Sequence, residues 1–152
     1  MFYRALCIFT VFHFAAVIAV ADDKRANDSK SLQGTWQAVY AEANGEKSSD
    51  DQVKELQIVI KGDEIFTLKP EEGEGQKFRF KLDTDKTLNT IDLSAIDGPD
   101  KGKTIAGIYS LKGGELKLCL NIWGEDRSRP KEFKTHAGDG VVFATLERAK
   151  KK

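Results

Sequence analysis

The chain has 152 residues and balances 24 basic against 24 acidic side chains. Nothing in that balance argues for nucleic acid, whose binding footprint is a basic face. With two cysteines and two histidines in all, there is little from which to build a four-ligand zinc site or a histidine-based catalytic set.

Met1 to Arg4 supplies a short start with one positive charge, residues 5–18 form an almost wholly apolar run, and Ala19-Val20-Ala21 places small residues at signal-peptidase spacing. The apolar run falls short of the roughly 20 residues that a spanning helix needs. The pattern predicts a signal peptide over residues 1–21, cleaved after Ala21, and hence a secreted or periplasmic protein with no membrane span after cleavage. Cys7 and His13 leave with it. About 130 residues remain, enough for one domain with a real core. Residues 22–31 are polar and charged and read as a flexible leader, residues 32–149 as a β-domain, and residues 150–152 as a basic tail.

Strand signals then follow almost without interruption. Residues 34–42 mix aromatic and small residues, and Asn44-Gly45 marks a turn. The Ser-Ser-Asp-Asp run over residues 48–51 offers Ser and Asp as N-caps for a helix over residues 50–55, with Glu55 downstream. Two β-rich runs flank Gly62-Asp63, a two-residue hairpin signal. Phe78, Phe80 and Leu82 alternate strictly with Lys77, Arg79 and Lys81, as in a half-buried antiparallel strand. Residues 88–93 add another strand. Residues 103–123 give two strands around Gly113-Gly114, the second with Leu116, Leu118, Leu120 and Ile122 on one face and Lys117, Cys119, Asn121 and Trp123 on the other. Residues 124–133 read as a loop with a short strand near Phe133, and residues 141–148 close the fold. About eight strands with short turns predict an all-β barrel or sandwich.

Several motifs invite chemistry and fail. Gly98 and Gly102-Lys103-Thr104 imitate a phosphate loop, but only three residues separate them where four are needed. The β-branched, aromatic residues that follow predict a strand, whereas that loop works by opening a helix onto the phosphates. Asp83 and Asp85 lack the later Gly and Glu of a calcium loop. Glu71, Glu72 and Glu74 fall at a charged hairpin tip. His136 stands in a turn-rich segment and reads as a surface histidine; Cys119, inside a strand pattern, reads as a buried inert thiol. No nucleophile–base pair is evident, so neither enzyme activity nor a metal or cofactor is expected.

Gly34-Thr35-Trp36 opens the first strand and Arg148 ends the last. This resembles lipocalin-like barrels, which begin with Gly-x-Trp and set a late basic residue over the Trp ring, a cation–π closure of the barrel's end. A closer resemblance covers most of the chain after residue 31. Leu32, Gly34 and Trp36, residues 97–104, Gly107 to Tyr109, Leu116 to Cys119, and Arg129, Pro130 and Phe133 resemble a family of secreted lipocalin-like domains found repeatedly in planctomycete bacteria. Trp123 and the lysine-rich tail are not typical of it. The resemblance implies an antiparallel up-and-down β-barrel of about eight strands, with Gly34, Trp36 and Arg148 at its closure. It brings no established activity.

Small barrels are filled by side chains or hold one small ligand. If Trp36 points inward, alternation places Ala38 and Tyr40 inside too. Phe78, Phe80, Leu118, Leu120 and Phe143 are the further wall candidates for a small apolar or amphipathic ligand. The alternative is a cell-envelope interaction module with a packed core, acting through the loops at residues 71–76, 97–103 and 124–131. The last of these carries Arg127, Arg129 and Lys131 towards an anionic partner. Neither reading names a protein partner.

Overall fold

The computed structural model describes residues 16–69, 73–84 and 87–150. Helix α1 (Ala16–Leu32) precedes β1 (Gly34–Ala43), the short β2 (Glu46–Lys47) and helix α2 (Asp50–Glu55). Seven strands follow: β3 (Gln57–Lys61), β4 (Glu64–Lys69), β5 (Gly73–Asp83), β6 (Asn89–Ala95), β7 (Thr104–Lys112), β8 (Glu115–Asn121) and β9 (Val141–Arg148). Each pairs antiparallel with its sequence neighbour, β1 pairs with β3, and β9 returns to pair with β1. Eight strands thus close an up-and-down barrel, and β2 is a short annex hydrogen-bonded to the end of β1. Closure removes the free edges through which an open sheet aggregates.

The turns form where the sequence places them. Gly62-Asp63 joins β3 to β4, with Lys61 opposite Glu64. Gly113-Gly114 joins β7 to β8, with Lys112 opposite Glu115. Helix α2 begins at Ser49, whose hydroxyl accepts from the Gln52 amide while the Gln52 side chain accepts from the Ser49 amide. The reciprocal partner is therefore Gln52, one helical turn earlier than Glu55. No strand forms near Phe133; residues 122–140 are a long connection without regular structure.

The phosphate-loop look-alike is a β-turn region between β6 and β7. The carboxylate of Asp97 accepts from the Lys77 amide at 2.8 Å and its carbonyl from Gln76 Nε2 at 2.9 Å. Lys103 pairs with Asp100 at 2.6 Å. Strand β7 starts at Thr104, where a phosphate site would need a helix.

The leader is not a loose segment. Residues 22–31 belong to α1, which lies across one end of the barrel. Lys24 Nζ donates to Asn89 Oδ1 at 2.9 Å, Asp28 accepts from the Tyr109 hydroxyl at 2.7 Å, and Leu32 is buried in the core. Those three residues stand four apart and so share one face of the helix. That spacing is the signal of docking, obscured because two of the three are charged. Residues 1–15 of the expected signal peptide, and residues 70–72, 85–86 and 151–152, lie outside the described residues. No helix among the described residues is long and apolar enough to cross a membrane.

Candidate functional site

The two ends of the barrel differ. At the α1 end, Trp36 is fully buried and its Nε1 donates to the Leu32 carbonyl at 2.7 Å. The Arg148 guanidinium lies 4.0 Å above the Trp36 ring centre and donates to the carbonyls of Gln33 and Ser31. Gly34, at φ +114°, leaves room for it: a Cβ there would stand 2.8 Å from Arg148 Nη1. The expected closure by Gly34, Trp36 and Arg148 is thus the observed geometry. Tyr109, Ile91, Leu116 and Leu146 pack around Trp36 with at most 2% exposure, so this half is solid. Burial, followed by the hydrogen bond to Asp28, pushes the Tyr109 hydroxyl well above the usual phenol range.

Above this floor the interior changes character. The inward wall carries small side chains, Ala38, Ala41, Ala95 and Ala144, all buried. Larger apolar groups stand among them. Five partly buried hydrophobic residues pack against the core, and four of them, Leu56, Phe78, Ile105 and Leu120, stand at one level near the end opposite α1. The staggered register sets that level: Phe78 lies opposite Ala95, the last residue of β6, and Leu120 opposite Val142 near the start of β9. Ile122, two residues beyond Leu120, is 38% exposed at the rim. One end is plugged; the other carries a ring of partly buried apolar side chains, called the cup below.

The expected wall residues divide accordingly. Trp36 is the floor, Phe80 and Leu118 belong to the buried core, and Phe78 and Leu120 line the cup. Tyr40 and Phe143 do not face the interior. Between Ala38 and Tyr40 the register against β9 shifts, Ala38 standing opposite Leu146 and Tyr40 opposite Thr145. That bulge inserts Val39, 49% exposed, and turns Ala41 inward in place of Tyr40. Phe143 pairs with Cys119 on the outer face. Its strand begins Val141-Val142-Phe143-Ala144, apolar on both faces, so alternation gave it no phase. Leu56 and Ile105 are cup residues that wall counting from Trp36 passed over; their place follows only from the stagger of the strands.

Tyr40 and Phe143 instead form a second cluster with Ile108, Cys119, Val141 and Phe133. It is covered by the β8–β9 connection. The rings of Tyr40 and Phe133 stand 5.9 and 6.0 Å from that of Phe143. Glu42 accepts from Tyr40 Oη at 2.6 Å and from the Thr135 amide at 2.8 Å. Glu42 thereby raises the Tyr40 hydroxyl above its ordinary range. Arg129, expected to meet an anionic partner, is committed inward: it donates to Asp92 at 2.7 Å and to the carbonyls of Gly107 and Ile91 at 2.7 and 3.2 Å. Cys119 is fully buried, and desolvation pushes its thiol up to about 11, so at neutral pH it is not a thiolate nucleophile. His136 faces Glu132 at 3.2 Å. Among the described residues no group of three His, Cys, Asp or Glu could hold a metal ion.

The neck of this connection is closed backbone against backbone. Ile122 and Trp123 both donate to the Gly140 carbonyl at 3.0 Å. A Cβ on Gly140, at φ +68°, would overlap the Gly124 amide.

Comparison with protein-family models, with curated proteins and with solved structures finds no match to this chain. The residues themselves must carry the functional reading. The segments around Gly107, around Cys119 and from Arg129 to Phe133 meet at the β8–β9 connection, which straps the outer face: Arg129 holds the Gly107 carbonyl, and Cys119 and Phe133 share the outer cluster.

Proposed function

We propose that the protein is an exported, non-catalytic binding barrel of the lipocalin-like family named above, taking one small apolar or amphipathic ligand through the end opposite α1. The observation that carries this reading is the asymmetry of the interior. A closely packed end beneath α1 gives way to a level at which Leu56, Phe78, Ile105 and Leu120 are only partly buried and Ala38, Ala41, Ala95 and Ala144 are small. Small side chains set among large ones at this level, with Ala95 paired to Phe78 and Ala144 to Leu118, are where a barrel of this size can accommodate a ligand rather than fill itself. Apolar surface at a mouth gains by covering, at about 25 cal/mol per Å² removed from water. Export follows from the three-part N-terminus, which has the pattern of a cleaved signal.

The test is binding of anilinonaphthalene sulfonate, a fluorescent apolar anion, competed by lauric acid. The native chain should enhance probe fluorescence in a saturable, competable way. Ile105→Asp and Phe78→Asp, each checked for a native circular dichroism spectrum, should lower the affinity at least about tenfold, a loss of about 1.4 kcal/mol. Folded variants that bind as the native chain does would remove the cup from consideration.

A further inference from the structure

A second concavity lies on the outer side of the barrel, under residues 122–140. It encloses about 660 Å³, within the range of small-molecule sites. Asn121, the last residue of β8, and Val141, the first of β9, are among its lining, while the neighbouring Leu120 packs against the interior core. It is therefore a site separate from the cup, and it rests on separate observations.

Its lining is unusual in three respects. First, Trp123 borders it with 62% of its surface exposed, the most open of the large apolar side chains among the described residues. Second, its charges nearly cancel, with three basic and four acidic side chains. Third, its walls are pinned. Asp126 accepts from the Ser128 amide at 3.0 Å, and those hydrogen bonds hold its carboxyl below the usual range. Asp139 accepts from the amides of His136 and Val141 at 2.6 and 2.8 Å. Asn121 ties the Gly124 amide to the Ser128 carbonyl, both at 2.8 Å. A site ordered beforehand loses little freedom on binding.

Each feature narrows the ligand. With Arg129 committed to Asp92 and Asp126 and Asp139 to backbone amides, Glu125 and Glu132 stand against Lys131 and Lys134, a balance that disfavours a phosphate or a polyanion. The lining mixes apolar and charged surface, and a lipid chain would cover Glu125 and Lys131 without pairing them. What remains is a neutral molecule with one apolar face for the indole and many hydroxyl groups able both to donate to carboxylates and to accept from lysines. We infer that this outer site binds a neutral saccharide, one pyranose ring lying against Trp123 with its hydroxyls meeting Glu125, Lys131 and Glu132.

The two tryptophans of the chain make the test direct. In ¹H–¹⁵N spectra of the folded protein, the Trp123 indole resonance should move on titration with maltotriose, cellotriose or chitotriose, with a Kd on the order of 1 mM. The buried Trp36 indole should stay in place. Trp123→Ala, at an exposed position, should abolish the backbone shifts of residues 121–141, and Glu125→Gln should weaken binding about threefold, 0.65 kcal/mol. No movement of Trp123 with any of the three sugars would overturn the assignment. So would a response to sodium phosphate alone, or saccharide shifts confined to the cup residues Phe78 and Ile105.

Discussion

Trp36→Ala should lower the unfolding free energy by about 3–5 kcal/mol, the range for removing a large buried aromatic. Trp36 has no exposed surface, donates to Leu32 and carries the Arg148 guanidinium on its face. The change therefore leaves a cavity, an unpaired carbonyl at the end of α1, and an arginine without its platform. Set against a total stability of about 5–15 kcal/mol for a domain, the barrel should be left marginal. Trp36→Phe keeps the apolar body but not the indole donor and should cost about half as much. Urea unfolding followed by circular dichroism measures both. A cost below about 1 kcal/mol for the alanine variant would mean that the α1 end is not what holds the barrel shut.

Arg129→Ala should have the second largest effect, and it should be local. Arg129 bonds the Asp92 carboxylate and two carbonyls of adjacent strands, and so fastens the β8–β9 connection to β6 and β7. Its side chain and that of Asp92 are 32% and 40% exposed, so solvent screens part of the ion pair. A cost of about 1–3 kcal/mol is expected, most of it from the hydrogen bonds to a charged donor. The sharper readout is hydrogen exchange. Amides of residues 122–135 should exchange much faster in the variant, while β3–β5 stay protected. Arg129→Lys should not rescue the loop, since one ammonium cannot reproduce a planar fork spread over three acceptors. Unchanged exchange in the loop would show that the Phe133 and Glu42 contacts hold it alone.

The barrel was legible in the sequence because its signals are local. Alternation over Phe78, Phe80 and Leu82, and turn residues at Gly62-Asp63 and Gly113-Gly114, fix strands and hairpins without reference to distant parts of the chain. The closure was legible through the pairing of Gly34-x-Trp36 with Arg148. What escaped depends on long-range packing. The bulge at Val39 reversed the inward phase of Tyr40, and nothing in residues 34–43 announces it; it becomes visible only in the register against β9. Phe143 was misplaced because the strap over the outer face makes both sides of β9 apolar. The same strap absorbed Arg129, which looked like a free cation. The polar leader became a docked helix because Asp28 met a buried phenol and Leu32 met the barrel floor, partners some 80 residues away in one case.

A small apolar ligand held by Leu56, Phe78, Ile105 and Leu120 should survive gentle purification with the protein. Native mass spectrometry of the protein purified from its own source tests it most directly. The cup reading predicts one reproducible small-molecule adduct on the native chain, lost from folded Phe78→Asp and retained by Trp123→Ala. Bare protein in every preparation, or an adduct that is a second polypeptide, would contradict it.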